Sequence, residues 1–99
     1  MLDSIKSDKV LKQIGQRIRQ ARKSFKHYSD KKDKEVEGIS LRDLATLANV
    51  SHTQIDDIEN GRLNPTILTL LSITEALNIS IGELFEGKKR WQSLYPAHF

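Results

Sequence analysis

Cysteine is absent from the 99 residues, which removes disulfide bridges and thiolate metal sites and leads us to expect a cytoplasmic setting. Long apolar runs are absent too. No stretch reaches the roughly 18 residues a membrane helix needs, and Met1 to Ile14 is interrupted by Asp3, Lys6, Asp8, Lys9 and Lys12, so neither a membrane span nor a secretory signal is expected. His27, His52 and His98 are dispersed, no Ser-His-Asp arrangement is suggested, and there is no glycine-rich phosphate loop. The expectation is therefore a chain that is not an enzyme and holds neither metal nor cofactor. Internal repeats and strand patterns of convincing length are also missing, which leaves an all-α fold class.

What is present is enough for one small domain. About 37% of residues are apolar, sufficient for a compact core and too few for a large buried pocket. The net charge of +3 is modest, but it is segregated along the chain. Residues 1–34 hold eleven Lys/Arg against four Asp, residues 35–87 hold two Arg against nine acids, and Lys88, Lys89 and Arg90 follow. Such segregation fits a protein that meets a polyanion from one side, and equally fits long helices with solvated basic faces.

Apolar residues at Val10, Leu11, Ile14, Ile18, Ala21 and Phe25 keep a helical period and predict a first helix from about Ser7 to His27. Tyr28 to Gly38 is polar, Lys-rich and aperiodic, and reads as a long mobile loop. Two short helices follow over about 41–48 and 52–59. Ser40 and Ser51 stand at their starts as caps, with Asp43 and Gln54 three residues on as reciprocal partners, and Val50 and Ile55 as a hydrophobic staple. Leu41, Leu44, Ala45 and Ala48 form one apolar face, Ile55 and Ile58 another. Asn49 between the helices tolerates the left-handed conformation that a sharp turn needs, and Gly61 serves as the stop after the second. Asn64-Pro65-Thr66 turns into a fourth helix in which Leu70, Leu71, Ile73, Thr74 and Leu77 are expected to face inward, and a short fifth helix follows Ser80 with Glu83 as its capping partner. The domain is taken as 1–87, and 88–99 as a C-terminal tail in which Trp91, Leu94, Tyr95 and Phe99 recur every three or four residues. Those side chains fit a cover for the domain's own core or a contact with a second subunit.

A joined pair of short capped helices is the arrangement that places a helix in a DNA groove. From Ile14 to Phe85 the chain resembles the helix-turn-helix domain of the phage-repressor and Cro-like family, the xenobiotic-response-element regulators of bacteria. The resemblance is carried by Ile14-Gly15-x-Arg17-Ile18-x-x-x-Arg22, Ser40-x-x-x-Leu44-Ala45, Val50-Ser51, Ile55, Ile58-Glu59-Asn60-Gly61-Arg62, Asn64-Pro65-Thr66, Leu70, Ala76-Leu77 and Leu84-Phe85. It implies a five-helix, lambda-repressor-like bundle whose third helix enters the major groove while the second lies across the backbone. It also implies bacterial or phage origin and a homodimer on a palindromic double-stranded DNA operator. The uses open to this fold are a transcriptional regulator, chiefly a repressor, the controller of a restriction-modification system, an antitoxin whose tail clamps a toxin, or a protein-interaction module.

The resemblance makes His52, Thr53 and Asp57 candidates for reading bases. Gln54 has two roles open to it, a bidentate grip on adenine or the reciprocal half of the capping box. A carboxylate in a groove lined by phosphates is repelled unless it accepts from cytosine N4 or is offset by nearby Lys/Arg, so Asp56 and Asp57 mean either cytosine selection or a protein partner. Ser40 with the free amides of helix two, and Ser51 likewise, form candidate phosphate sites. Leu41 stands where relatives often carry Gln, and Arg42 is a substitute contact. Asn60, Arg62 and Asn64 match phosphate-contacting positions, though both Asn residues suit turns equally, and Arg17 is a weaker phosphate candidate. Arg22 and Glu59 are expected to form an ion pair between helices one and three. Lys31, Lys32 and Lys34 in the long loop either approach the phosphates or belong to a solvated insertion.

Overall fold

The computed structural model describes residues 4–86. Five helices run in the order α1 (Ser4–Ser24), α2 (Leu41–Ala48), α3 (His52–Glu59), α4 (Ile67–Leu77) and α5 (Ile81–Glu86), with a two-stranded hairpin, β1 (Lys26–Ser29) and β2 (Lys34–Glu37), inserted between α1 and α2. α1 packs on α3 and α5, and α2 packs on α3 and α4. Ile18, Leu44, Ile55, Ile58, Ile73 and Leu84, one or two from each helix, are the largest side chains withdrawn entirely from water. Each contributes about 2 kcal/mol relative to exposure.

The helix starts are set locally. Ser40 Oγ accepts from the Asp43 amide at 3.0 Å and Ser51 Oγ from the Gln54 amide at 3.1 Å, each satisfying one of the amides that a helix leaves unpaired. Thr66 does the same for Thr69 at 3.1 Å. At α5 the box closes both ways: the Glu83 amide donates to Ser80 Oγ and the Ser80 amide donates to the Glu83 carboxylate. Asn49 ends α2 with φ 58° and ψ 44°, its amide donating to the Ala45 and Thr46 carbonyls. Asn78 ends α4 in the same left-handed conformation.

Three expectations are corrected by the fold. Residues 28–38 are not an aperiodic loop, because Lys26 pairs with Glu37, His27 with Val36, Tyr28 with Glu35 and Ser29 with Lys34 in an antiparallel ladder. Asp33 makes the turn at φ 53°, and the Tyr28 hydroxyl donates to its carboxylate. Four-residue strands with so few apolar residues give too short an alternation to stand out. Second, α1 ends at Ser24 rather than His27, because the Arg22 carbonyl receives the Ile39 amide at 3.1 Å and the Gly38 amide donates to Phe25 O at 2.7 Å. The returning strand thus takes carbonyls that a longer helix would use. Third, Leu71 points outward and is 42% exposed, whereas Leu70, Ile73, Thr74 and Leu77 are buried. The tail at 88–99 lies outside the described residues.

Candidate nucleic-acid interface

The geometry of α3 begins with one carboxylate. Glu59, at the last turn of α3, has a side chain only 1% exposed, a position a carboxylate tolerates only when paired and hydrogen-bonded. Arg22 supplies both: its Nε lies 2.7 Å from Glu59 Oε2 and its Nη2 3.0 Å from Oε1, a two-pronged pairing. The third prong, Nη1, donates to the Ile39 carbonyl at 2.9 Å, so one guanidinium ties α1, α3 and the segment entering α2. Arg19 adds a second cation, with Nε 3.2 Å from Glu59 Oε1 and Nη2 3.1 Å from Asn60 Oδ1.

Gly15 sets the distance between the same two helices. A Cβ there would lie 2.3 Å from the Ile58 carbonyl oxygen and 2.6 Å from that of Glu59, so the α1 backbone touches the last turn of α3. Gly61, at φ 71°, then turns the chain away against Lys12. Arg19 was missed by the sequence reading because one basic residue on a basic helix carries no distinguishing mark. Gly15 belonged to the matched motif, but its contact depends on a helix more than forty residues away.

With its inner face anchored, α3 turns its first residues outward. His52 and Thr53 are exposed at the start, and Gln54 and Asp57 are half-buried behind them. Only the forward half of the Ser51 box forms: among the described residues nothing engages the Gln54 carboxamide, whereas the Ser51 hydroxyl holds the Gln54 amide. The carboxamide's donor and acceptor are thus both left without a partner among the described residues. Arg42, Thr46, Asn49, Ser51 and His52 line an open, mainly polar concavity between α2 and the start of α3. This brings Arg42 and Ser51 beside His52, with Ser40 exposed at the head of α2.

Other candidates have different surroundings. Arg17 has an internal partner: its Nη1 donates to the Leu84 carbonyl at 2.6 Å, fastening α1 to α5. Asn60 is a capping residue whose Nδ2 donates to the Asp56 carbonyl at 2.8 Å and whose Oδ1 accepts from Arg19. Arg62 bridges both aspartates of α3, with Nη2 3.1 Å from Asp56 Oδ2 and Nε 3.2 Å from Asp57 Oδ1. The acidic face is thus partly offset by a residue five or six positions downstream. Asn64 is exposed beside Pro65, near the amino-terminal half of α1. The tip residues Asp30 and Lys31 border a groove shared with Asp43, Thr46 and Leu47 of α2, so the hairpin lies alongside α2.

Among the described residues no group of three or more His, Asp or Glu is disposed to hold a metal, and no helix is long and apolar enough to cross a membrane.

Comparison with known proteins agrees with this geometry. A helix-turn-helix family model matches residues 36–84, from the end of the hairpin to α5. The HTH-type transcriptional regulator DdrOP3 of Deinococcus deserti is 38% identical over 50 residues, covering 50% of this chain and 39% of that protein, so the chain spans about two fifths of the relative's length. The crystal structure of the restriction-modification controller protein C.AhdI from Aeromonas hydrophila superposes with a TM-score of 0.59 at 29% identity, over 76% of this chain and 96% of that one. Capped α2 and α3, the left-handed Asn49 turn and these matches together identify residues 36–84 as a helix-turn-helix domain of the phage-repressor and Cro-like type.

Proposed function

We propose that this chain binds double-stranded DNA sequence-specifically and regulates transcription in the bacterial cytoplasm, as a repressor, with α3 in the major groove. The observation that carries the reading is the division of α3 into two halves. Its inner face and Glu59 are locked to α1, while His52, Thr53 and the uncommitted Gln54 carboxamide look outward beside Asp57. Each bidentate base contact from such a face discriminates by about 1–3 kcal/mol. Ser40, Arg42 and Ser51 sit where backbone phosphates pass, and no catalysis or cofactor is assigned to the chain.

The reading includes a homodimer on a palindrome. Leu68 and Leu71, 75% and 42% exposed on the outer side of α4, are apolar surface that the isolated domain leaves in water, which favours coverage by a second copy. Selection of binding sites from a random DNA pool tests both parts. The expected result is a palindrome with half-sites about 10 base pairs apart. No binding to any DNA at about 50 mM salt, where nonspecific affinity is strong, would turn the reading toward a protein-interaction module.

A second reading is favoured by the likeness to C.AhdI, described as a restriction-modification controller protein: the chain governs the genes of such a system. An adjacent endonuclease and methyltransferase pair in the genome supports it, and their absence removes it while leaving DNA binding untouched.

A further inference from the structure

Away from the helix-turn-helix, an apolar cavity of about 320 Å³ opens between α1, the start of α4 and α5. Val10, Leu11, Pro65, Leu70, Ile67 and Phe85 contribute to its walls. Two of these are left largely in water, Ile67 at 59% and Phe85 at 50% exposure. A site of this kind, concave and bordered by exposed large apolar side chains, is uncovered core surface and calls for an apolar occupant.

We propose that the chain's own carboxy-terminal segment is that occupant, seating Trp91 in the cavity of the same molecule. The path is short: α5 ends at Glu86, one residue beyond Phe85, so the segment departs from the cavity rim. Five residues separate Phe85 from Trp91, a reach of up to about 20 Å when extended. The composition fits as well. Lys88, Lys89 and Arg90 form a polar connection, and Trp91, Leu94 and Tyr95 then supply apolar side chains at helical spacing. A tryptophan carries about 150–250 Å² to bury. Tethering favours the same molecule over a second copy, because a short linker holds its end at an effective concentration in the mM range. This covering is independent of DNA binding and leaves Leu68 and Leu71 of α4 uncovered.

Trp91 is the sole tryptophan of the chain, so its fluorescence reports the site directly in the full-length protein. The expected native emission is blue-shifted and shielded from acrylamide relative to the urea-unfolded chain. It should not change on dilution through the range where sedimentation detects dissociation of any dimer. Ile67→Asp and Phe85→Ser, each at an exposed rim position, should shift emission to the red and restore quenching while helical circular dichroism persists. Leu68→Asp, on the neighbouring residue but off the cavity, should leave both unchanged. The proposal is overturned if native Trp91 is as quenchable as in the unfolded chain, or if both rim variants keep the parent spectrum. A red shift on dilution that tracks dimer dissociation overturns it also, assigning the cavity to the tail of a second copy.

Discussion

Arg22→Met removes two hydrogen bonds to a carboxylate that water cannot reach. Glu59 is then left with Arg19 alone, at 3.2 Å and with a side chain 37% exposed. Breaking a buried pair from one side costs about 3–5 kcal/mol, because the remaining charge keeps its desolvation penalty. Arg19 offsets part of this, so we expect a loss of about 3 kcal/mol. Arg19→Met removes only the more exposed partner and should cost about 0.5–1 kcal/mol. In a domain of this size about 1 kcal/mol moves the melting temperature by roughly 4–8 °C, which puts Arg22→Met about 15 °C below the parent. The double variant Arg22→Met, Glu59→Met replaces the pair with apolar side chains of similar length and should recover much of that loss. Urea unfolding followed by circular dichroism measures the parent, these three variants and the single Glu59→Met. Equal losses for Arg22→Met and Arg19→Met, or a double variant as unstable as the sum of its singles, would refute the assignment of Glu59 as a buried, Arg22-dependent anchor.

Gly15→Ala forces a methyl group into the carbonyls of Ile58 and Glu59 and should cost about 3 kcal/mol in thermal unfolding; a loss below about 1 kcal/mol would mean that α1 and α3 separate easily. Arg17→Met should lower stability by about 2 kcal/mol, through loss of the charged donor to Leu84 O, and leave the salt dependence of DNA affinity unchanged. Arg42→Gln should do the opposite, reducing the slope of log K against log salt by about 1. Asp57→Asn should relax base preference at one operator position by about 1–3 kcal/mol in competition binding, while an unchanged preference removes Asp57 from the reading set. The hydrogen bond to Asp33 favours the protonated phenol and raises the Tyr28 pKa above its ordinary value. Its contribution to the hairpin is therefore complete below pH about 10 and is lost as pH rises through the higher folded value. Hairpin amide exchange should show that loss in the parent and not in Tyr28→Phe.

The helix starts were legible because a cap is a local event: a hydroxyl and an amide three residues on decide it, as at Ser40, Ser51, Thr66 and Ser80. Asn49 was legible for the same reason, since its left-handed turn needs no distant partner. The end of α1 was not legible, because it depends on the Ile39 amide arriving from across the hairpin at the Arg22 carbonyl. Leu71 was misassigned because Ile67, Leu68, Leu70, Leu71 and Ile73 make α4 apolar nearly all round, and a period cannot then choose the buried side. Within the candidate interface, spacing could locate α3 but not decide whether the Gln54 side chain closes the box. That depended on the Ser51 hydroxyl sufficing without a return bond.

Charge was the most misleading signal, and the reason is geometric. The basic first third of the chain suggested a surface facing a polyanion, yet its three α1 arginines at 17, 19 and 22 are turned to internal partners: Leu84 O, and the Glu59 carboxylate twice. The acidic stretch that follows is likewise partly self-compensated, Asp56 and Asp57 by Arg62. Segregation along the sequence is therefore folded into contact between segments, and net charge by segment overstates the field that DNA would meet. The Arg62 pairs are solvent-exposed and so hold weakly, at no more than about 1 kcal/mol each. A phosphate can draw Arg62 away at little cost, but the two carboxylates would then face the groove uncompensated. A base with an exocyclic amino donor opposite Asp57, cytosine through N4 or adenine through N6, relieves that repulsion, whereas guanine and thymine present only acceptors there. If α3 reads DNA as proposed, the acidity that first argued against this helix would then be a means of rejecting wrong sequences.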